Sequence, residues 1–182
     1  VKILPSGKNT KIKSIIVDRE NKDYAFPPQN AVLTLEDEID ASRGDIIVRE
    51  NNLPDVSSNL EATLCWMDEN PLLEKRGYFL KQNTKTTRCF IDKIFWKINI
   101  ENLHREESNN LKQNEIARIS IATLNPIIFD AYKKNRNTGS FIIIDETDGS
   151  TAGAGMILRK SQTTEQKNSD KALLLLFFQC IY

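Results

Sequence analysis

The stretch that decides the fold is Val32-Leu-Thr-Leu-Glu-Asp-Glu-Ile-Asp-Ala-Ser-Arg-Gly-Asp-Ile-Ile-Val48. Leu33 and Leu35 share one face of a first predicted strand, and Ile46 and Val48 share one face of a second, which is the period-two spacing of half-buried strands. Gly44 supplies a residue that tolerates positive φ where the chain turns back. An acidic connector joins the two strands. Such an arrangement is typical of a small β-barrel, and on spacing alone also of an ordinary hairpin.

Composition indicates an ordinary globular protein of one large or two small domains. The chain has 182 residues, of which 40% are hydrophobic and 27% are charged. Its 25 Lys and Arg residues balance 25 Asp and Glu residues, so the formal net charge is zero. No overall field therefore attracts nucleic acid or an anionic membrane, which makes a nucleic-acid partner less expected but leaves a local basic patch open.

Cysteine usage favours a reducing compartment. The three cysteines, Cys65, Cys89 and Cys180, are widely spaced and form no metal-binding pair. Cys65 and Cys89 lie in apolar strands, so we expect buried, inert thiols. No signal peptide or membrane-spanning run is evident, and we expect a cytoplasmic protein. Because the chain starts at Val1 within an apparent strand, we also expect a fragment of a longer protein.

The first third of the chain reads as short strands separated by breakers. Strands are predicted at Lys2 to Leu4 and at Lys11 to Val17, a polar turn at Asp18 to Asp23, and irregular chain at Ala25 to Pro28. Glu50 to Asn59, rich in Asn, Ser and Pro, is the best predicted linker.

Alternation becomes cleaner after that linker. Leu60, Ala62, Leu64 and Trp66 point one way, and Glu61, Thr63 and Cys65 point the other. Further strands are predicted at Tyr78 to Lys81, Cys89 to Ile100, Ile116 to Thr123, Phe141 to Ile144 and Gly153 to Ile157, with loops at Met67 to Arg76 and His104 to Asn110. Thr147-Asp148-Gly149 is typical of a hairpin turn.

Short strands with frequent turns and hardly any helical periodicity predict an all-β protein with two consecutive β-barrels. We place a partial first barrel in residues 1–52 and a second barrel in residues 53–160. The tail, residues 161–182, is expected to be disordered or loosely docked, because its first half is polar and the apolar run at Ala172 to Phe178 is short.

Two glycine motifs partly match the sequence patterns of nucleotide-binding sites. Ser6-Gly7-Lys8 contains the Gly-Lys pair of a phosphate loop, but Lys2 and Asn9 stand where a leading Gly and a Ser or Thr are needed. Gly153-Ala154-Gly155 is half a dinucleotide fingerprint and no predicted helix follows it. Small residues that pack a crowded barrel end explain the second motif better.

Ionisable residues offer three weaker candidates. His104, the only histidine, has no second ligand or nucleophile beside it and is predicted to be a solvated loop residue. The acidic connector could hold a metal or simply cap a barrel end. A basic run interleaved with Phe90, Phe95 and Trp96 could bind a polynucleotide, or could reflect lysines outside and aromatics inside. The acidic set is Glu36, Asp37, Glu38 and Asp40; the basic set is Lys81, Lys85, Arg88, Lys93 and Lys97. We therefore assign no catalytic, cofactor-binding or metal-binding residue.

The residue sequences of several motifs resemble those of the translation-factor GTPases. They most closely resemble the large, GTP-hydrolysing subunit of bacterial ATP sulfurylase (sulfate adenylyltransferase subunit 1). The resemblance covers roughly residues 1–157. Elongation factor Tu shares the Gly-Ala-Gly ending but normally has a basic, Gly-rich turn before it, whereas here Asp145 to Asp148 is acidic. The motifs are Leu33 to Val48, Trp66-Met67 with Pro71-Leu72, Ile116 to Phe129, Asn135 to Asp145, and Gly153 to Ile157.

The resemblance implies two barrels like domains II and III of elongation factor Tu, the first truncated at its N-terminus. It implies a scaffold for an enzyme that makes adenylyl sulfate from ATP and sulfate, with GTP and Mg²⁺ on a separate GTP-binding domain and no cofactor in this fragment. Its expected partners are that GTP-binding domain and the small catalytic subunit. The alternative is a translation-elongation-factor-type barrel pair that binds RNA or ribosomal partners.

Overall fold

The structure is a computed structural model that describes residues 1–99, 102 and 104–161. The chain divides into two compact units, Val1–Pro54 and Asp55–Tyr182. The predicted all-β class is confirmed: the described residues form fifteen strands and a single short helix, α1 (Arg136–Gly139). Apart from Ser161, the predicted tail lies outside the described residues, as do Ile100 and Cys180.

The first unit contains two three-stranded antiparallel sheets, with strand orders β2-β1-β6 and β4-β3-β5. The two strands of the acidic stretch therefore belong to different sheets and do not pair with each other. Gly44, with φ of 100°, takes the positive φ that the sequence predicted for the turn. The strands are β1 (Lys2–Leu4), β2 (Lys8–Asn9), β3 (Ile12–Val17), β4 (Glu20–Lys22), β5 (Val32–Leu35) and β6 (Ile46–Val48).

The turn between β3 and β4 is shorter than predicted. Asp18 and Arg19 have φ of 51° and 68°, and Val17 pairs directly with Glu20. Two successive residues with positive φ make the tight hairpin turn whose twist matches its strands. Half of the predicted polar turn, Glu20–Lys22, is therefore strand β4.

The second unit is a closed barrel of six strands. Its sheet order is β11-β10-β13-β7-β15-β14-β9, and β9 also pairs with β10, which closes the ring. The strands are β7 (Asp55–Trp66), β8 (Leu72–Leu73), β9 (Gly77–Gln82), β10 (Lys85–Ile98), β11 (Arg105–Glu106), β12 (Asn110–Leu111), β13 (Ile116–Phe129), β14 (Ser140–Ile144) and β15 (Thr151–Lys160).

Three predicted loops are partly strand. Asp55 to Asn59 of the predicted linker begins β7 and pairs with β13. The predicted loops at Met67 to Arg76 and His104 to Asn110 contain β8, β11 and the start of β12. β8 pairs with β12 through Leu72 and Leu111, which are both fully buried. Two-residue strands are too short to show an alternation in sequence.

The barrel core follows the predicted alternation of β7. Leu60, Ala62, Leu64 and Trp66 are at most 1% exposed. Cys89 is also fully buried, and burial raises the pKa of its thiol to about 12, which makes it the inert thiol expected. Cys65 is half-buried, as the outward-pointing half of the alternation predicts, so the expectation of full burial was wrong for this thiol.

Gly139 permits a close backbone approach at the end of α1. A Cβ at this position would lie 2.4 Å from the Tyr132 Cα and 2.9 Å from the Asp130 carbonyl oxygen. Its φ is not positive, so the expected constraint is steric rather than a left-handed backbone. Asn135 and Thr138 bond the local backbone: Asn135 Oδ1 accepts from the Asn137 amide, and Thr138 Oγ1 accepts from the Asp130 amide.

We expect Gly139→Ala to lower the free energy of unfolding of the second unit by about 3 kcal/mol, because backbone atoms cannot move aside as a flexible side chain can. Urea denaturation followed by circular dichroism measures this. The matched control is Gly77→Ala, where the added Cβ meets its nearest atom, in the Phe90 ring, at 3.4 Å; it should change stability by less than about 0.5 kcal/mol. Equal stability of the two variants would contradict the steric explanation.

Candidate interaction surface

The two glycine motifs are structural in their geometry. The Gly7 amide donates to the Ile3 carbonyl at 2.8 Å within the turn between β1 and β2, so it is not free to bind a phosphate. Gly153 and Gly155 lie within strand β15. A Cβ on Gly153 would lie 2.9 Å from the Cys65 carbonyl oxygen, and one on Gly155 would lie 2.2 Å from the Phe141 ring. The Gly-Ala-Gly segment thus lets neighbouring groups approach the strand closely.

The ionisable candidates do not converge. His104 is exposed, and its backbone amide donates to Asn102 Oδ1 at 2.8 Å. In the acidic connector, Asp37 accepts a hydrogen bond of 2.8 Å from the Thr10 hydroxyl. Within the ranges that the structure describes, no three His, Cys, Asp or Glu side chains are grouped to hold a metal ion.

Three members of the basic run on β9 and β10 are engaged by partners from other parts of the second unit. Arg88 forms a two-bond ion pair with Glu146 at 2.7 and 2.6 Å, and Lys97 pairs with Glu115 at 2.7 Å. Lys85 donates to the Pro126 carbonyl at 2.9 Å. The Lys93 ammonium lies 5.9 Å from the centre of the Phe95 ring, and Lys81 is exposed.

The aromatics of that run are not inside the barrel, so this part of the interpretation was wrong. Phe90 is 43% exposed, and Phe95 and Trp96 are half-buried. β10 has register irregularities between Ile91 and Lys93 and again between Ile94 and Trp96. Each irregularity shifts the alternation that a sequence pattern assumes to be continuous.

The acidic turn between β14 and β15 is held by arginines. Arg76 Nη2 donates to Asp145 Oδ2 at 2.7 Å, and Asp145 is only 7% exposed. The hydrogen-bonded Arg88 guanidinium lowers the pKa of Glu146 below its ordinary value. This turn is therefore fixed to β10 and to the segment before β9, and the charges of Asp145 and Glu146 are compensated.

A second network that the sequence did not reveal is centred on Glu61 of β7. Its carboxylate accepts hydrogen bonds from Arg118 of β13 and from Arg159 of β15, the latter at 3.1 and 3.3 Å. Burial raises the pKa of Glu61, but the two guanidinium groups outweigh it and hold the pKa below the ordinary value of 4.5. No sequence pattern brings these residues together, because they lie 57 and 98 positions apart.

Several open depressions lie on the described part of the second unit. A groove of about 530 Å³ is bordered by residues of β9, β14 and β15, among them Lys81, Ile142 and Met156. A smaller one, of about 390 Å³, is lined by Glu61, its two arginines, Phe95 and Trp96. Where the chain is described, no helix has the length and apolar composition needed to cross a bilayer. The described surface thus offers polar and aromatic contacts rather than a closed pocket for a small molecule.

Comparison with known proteins supports the resemblance drawn from the motifs. The family described as GTP-eEF1A C-terminal domain-like matches residues 59–158. Sulfate adenylyltransferase subunit 1 of Bacteroides fragilis is 43% identical over 170 residues, which cover 93% of this chain and 36% of that protein. The Aliarcobacter butzleri protein of the same name is 44% identical over 169 residues, with the same coverage.

A third relative, the bifunctional enzyme CysN/CysC of Rhodopirellula baltica, is 40% identical over 168 residues, which cover 92% of this chain and 26% of that protein. The chain thus spans about a third of the length of the first curated relatives. These matches confirm the resemblance to sulfate adenylyltransferase subunit 1, which is an enzyme subunit.

Solved structures confirm the fold. Sup35 complexed with GDP superimposes with a TM-score of 0.78 at 12% identity, covering 88% of this chain and 40% of that one. Sup35 complexed with GMPPNP gives the same values. At this identity the likeness concerns the fold alone. It agrees with the predicted all-β fold.

We expect Glu61→Gln to lower the free energy of unfolding by about 1–2 kcal/mol at pH 7, because it removes the charge that holds two guanidinium groups. The pKa of folded Glu61 is depressed, so its contribution is complete above the ordinary value of 4.5 and is lost as the pH falls through the folded pKa. The gap between wild type and variant should therefore close in acid. Urea midpoints measured from pH 7 to pH 3 test this.

The matched control is Asp92→Asn, which removes an ion pair with Lys75 whose side chains are 54% and 75% exposed. That change should alter stability by less than about 0.5 kcal/mol at neutral pH. A constant difference between wild type and Glu61→Gln at every pH would show that the loss at Glu61 comes from packing and not from its charge.

Proposed function

The chain belongs to the GTP-eEF1A C-terminal domain-like family, and from this premise we propose that it is the β-domain part of a sulfate adenylyltransferase large subunit. The whole enzyme makes adenylyl sulfate and diphosphate from ATP and sulfate. The observation that carries the proposal is identity of 43% to such a subunit along 93% of the chain, a span that includes most of both units.

In this proposal the chain is a scaffold that binds protein partners. GTP and Mg²⁺ are bound by the GTP-binding domain of the large subunit, and adenylyl transfer takes place on the small catalytic subunit. The role of these barrels is to transmit the nucleotide state of the GTP-binding domain to the small catalytic subunit. We place the assembly in the cytoplasm, in line with the metabolic role of its relatives.

The described geometry supports a scaffold in two ways. The second unit is a closed barrel whose hydrogen-bonded strands keep outward side chains in fixed relative positions. Its outer surface also has half-buried arginine and tryptophan side chains, which are enriched where proteins bind proteins. Neither feature requires the chain to perform chemistry.

We expect the isolated chain to show no saturable binding of GTP with Mg²⁺ in isothermal titration calorimetry. The turn that most resembles a phosphate loop uses its Gly7 amide within the hairpin and leads into strand β2 instead of a helix. The control is a full-length large subunit such as the Bacteroides fragilis relative, titrated under the same conditions. Binding by the isolated chain would reveal a nucleotide site and would contradict the scaffold proposal.

A pull-down with a purified small subunit of sulfate adenylyltransferase tests the partner. We expect the immobilised chain to retain that subunit, and we expect gel-shift titrations at physiological salt to show weak binding of RNA and DNA, because most basic side chains of the run already have partners.

The double variant Lys85→Ala/Arg88→Ala should leave the retention of the small subunit unchanged. RNA binding that is tight, sensitive to salt and lost in this variant, together with no retention of the small subunit, would favour an RNA-binding barrel pair of the translation-factor type.

A further inference from the structure

One row of side chains crosses the outer face of the second barrel. It runs over five adjacent strands, from β11 through β10, β13 and β7 to β15. We name it the arginine stripe and define it as Arg105, Trp96, Arg118, Glu61 and Arg159, in the order of those strands. Four steps between strands give it a length of about 19 Å at the backbone.

The members of the stripe contact or face one another in sequence. The Arg105 guanidinium lies over the Trp96 ring, 4.5 Å from its centre. Trp96 and Arg118 are directly opposite in the β10–β13 pairing. Arg118 and Arg159 both bind the Glu61 carboxylate. The stripe therefore alternates cation, aromatic ring, cation, anion and cation.

Charge along the stripe is positive in excess and is held in place. The stripe contains three guanidinium groups and one carboxylate. Among the described residues, Arg105 has no ion pair. The Glu61 carboxylate is 12% exposed and orients both Arg118 and Arg159. The Arg159 side chain is itself 66% exposed. Preorganised side chains lose little conformational freedom when a ligand binds.

We propose that the arginine stripe is a docking site for an extended, acidic segment of a partner protein. Carboxylates of the segment pair with Arg105 at one end and Arg159 at the other, and an apolar residue between them covers Trp96 and the depression beside it. A span of about 19 Å corresponds to about six residues of extended chain. The inference depends on the proposed function only in taking the partner to be a protein.

A protein segment fits the stripe better than a polynucleotide does. The Glu61 carboxylate lies between Arg118 and Arg159, where it repels a phosphate. Basic side chains nearby do not extend the row, because Lys97 is paired with Glu115 and Lys160 with Asp55. A polynucleotide needs a track of available cations along its backbone, whereas an acidic peptide needs only the two ends and the ring.

The probe is a fluorescein-labelled peptide of three glutamates, one leucine and three glutamates, titrated by fluorescence polarisation at low salt. Two probes of equal length accompany it: the same peptide with lysine in place of glutamate, and oligouridine. We expect the acidic peptide to bind the wild-type chain more tightly than either. The double variant Arg105→Glu/Arg159→Glu should bind it about tenfold more weakly, because two exposed attractions become repulsions.

The matched control is Lys133→Glu/Arg136→Glu, which makes the same change of charge in the same unit at exposed positions that are not members of the stripe. It should weaken binding less than about twofold. Circular dichroism of each variant verifies that the barrel is intact. Trp96→Phe, which keeps an aromatic surface without the indole, should bind the peptide more weakly than wild type while retaining its preference over the lysine peptide.

Three results would overturn the proposal. One is no preference of the wild type for the acidic peptide. Another is equal weakening by the control variant, which would indicate attraction by net charge alone. The third is tighter binding of oligouridine that the stripe variant abolishes, which would make the stripe a polynucleotide surface. If the variant Arg105→Glu/Arg159→Glu loses peptide binding but still retains the small subunit in the pull-down, this result supports the stripe as a site distinct from the contact with that subunit.

Discussion

Closure of the second barrel depends on strand β9, which forms backbone hydrogen bonds on both of its sides. It pairs with β10 through a short hairpin and with β14 across about sixty residues of chain. The second pairing comprises three residue pairs, from Ile142 opposite Lys81 to Ile144 opposite Phe79. Gln82, which is 3% exposed, reinforces it by donating to the carbonyls of Ile128 and Thr138. If β9 lost either neighbour, the sheet would open and expose its apolar inner face.

A closed ring also explains how residues distant in sequence form one surface. The inward face of every strand is occupied by the core, so ionisable side chains can meet only on the outside. Glu61, Arg118 and Arg159 converge because β13, β7 and β15 are neighbours in the ring. The neighbouring strands β14, β9 and β10 likewise place the acidic turn beside Arg76 and Arg88. Charge is therefore distributed by topology, while the net charge of the chain remains zero.

Sequence reasoning captured whatever depends on local pattern. Alternation at Leu60 to Trp66 placed the core face of β7, and the residue chemistry of Gly44 identified a turn. It failed where the cause is not local. Trp96 faces outward because β10 contains register irregularities that the sequence pattern does not predict. Glycine is needed at position 139 because the Tyr132 backbone lies close to it, and not because of its own φ. The stripe was not visible at all, since its order follows strand neighbours and not sequence neighbours.

The second unit is a closed barrel, whereas the first contains open sheets. The two units should therefore differ in their tendency to self-associate when each is produced alone. Within the described residues, the sheets of the first unit end in β2 and β6 and in β4 and β5, so each presents edge strands with unpaired backbone groups. Such edges are templates for strands of other molecules, and β6, with the sequence Ile46-Ile47-Val48, carries no charge to oppose that pairing. If the first unit is produced alone, it should self-associate through these edges at concentrations where the barrel alone stays monomeric.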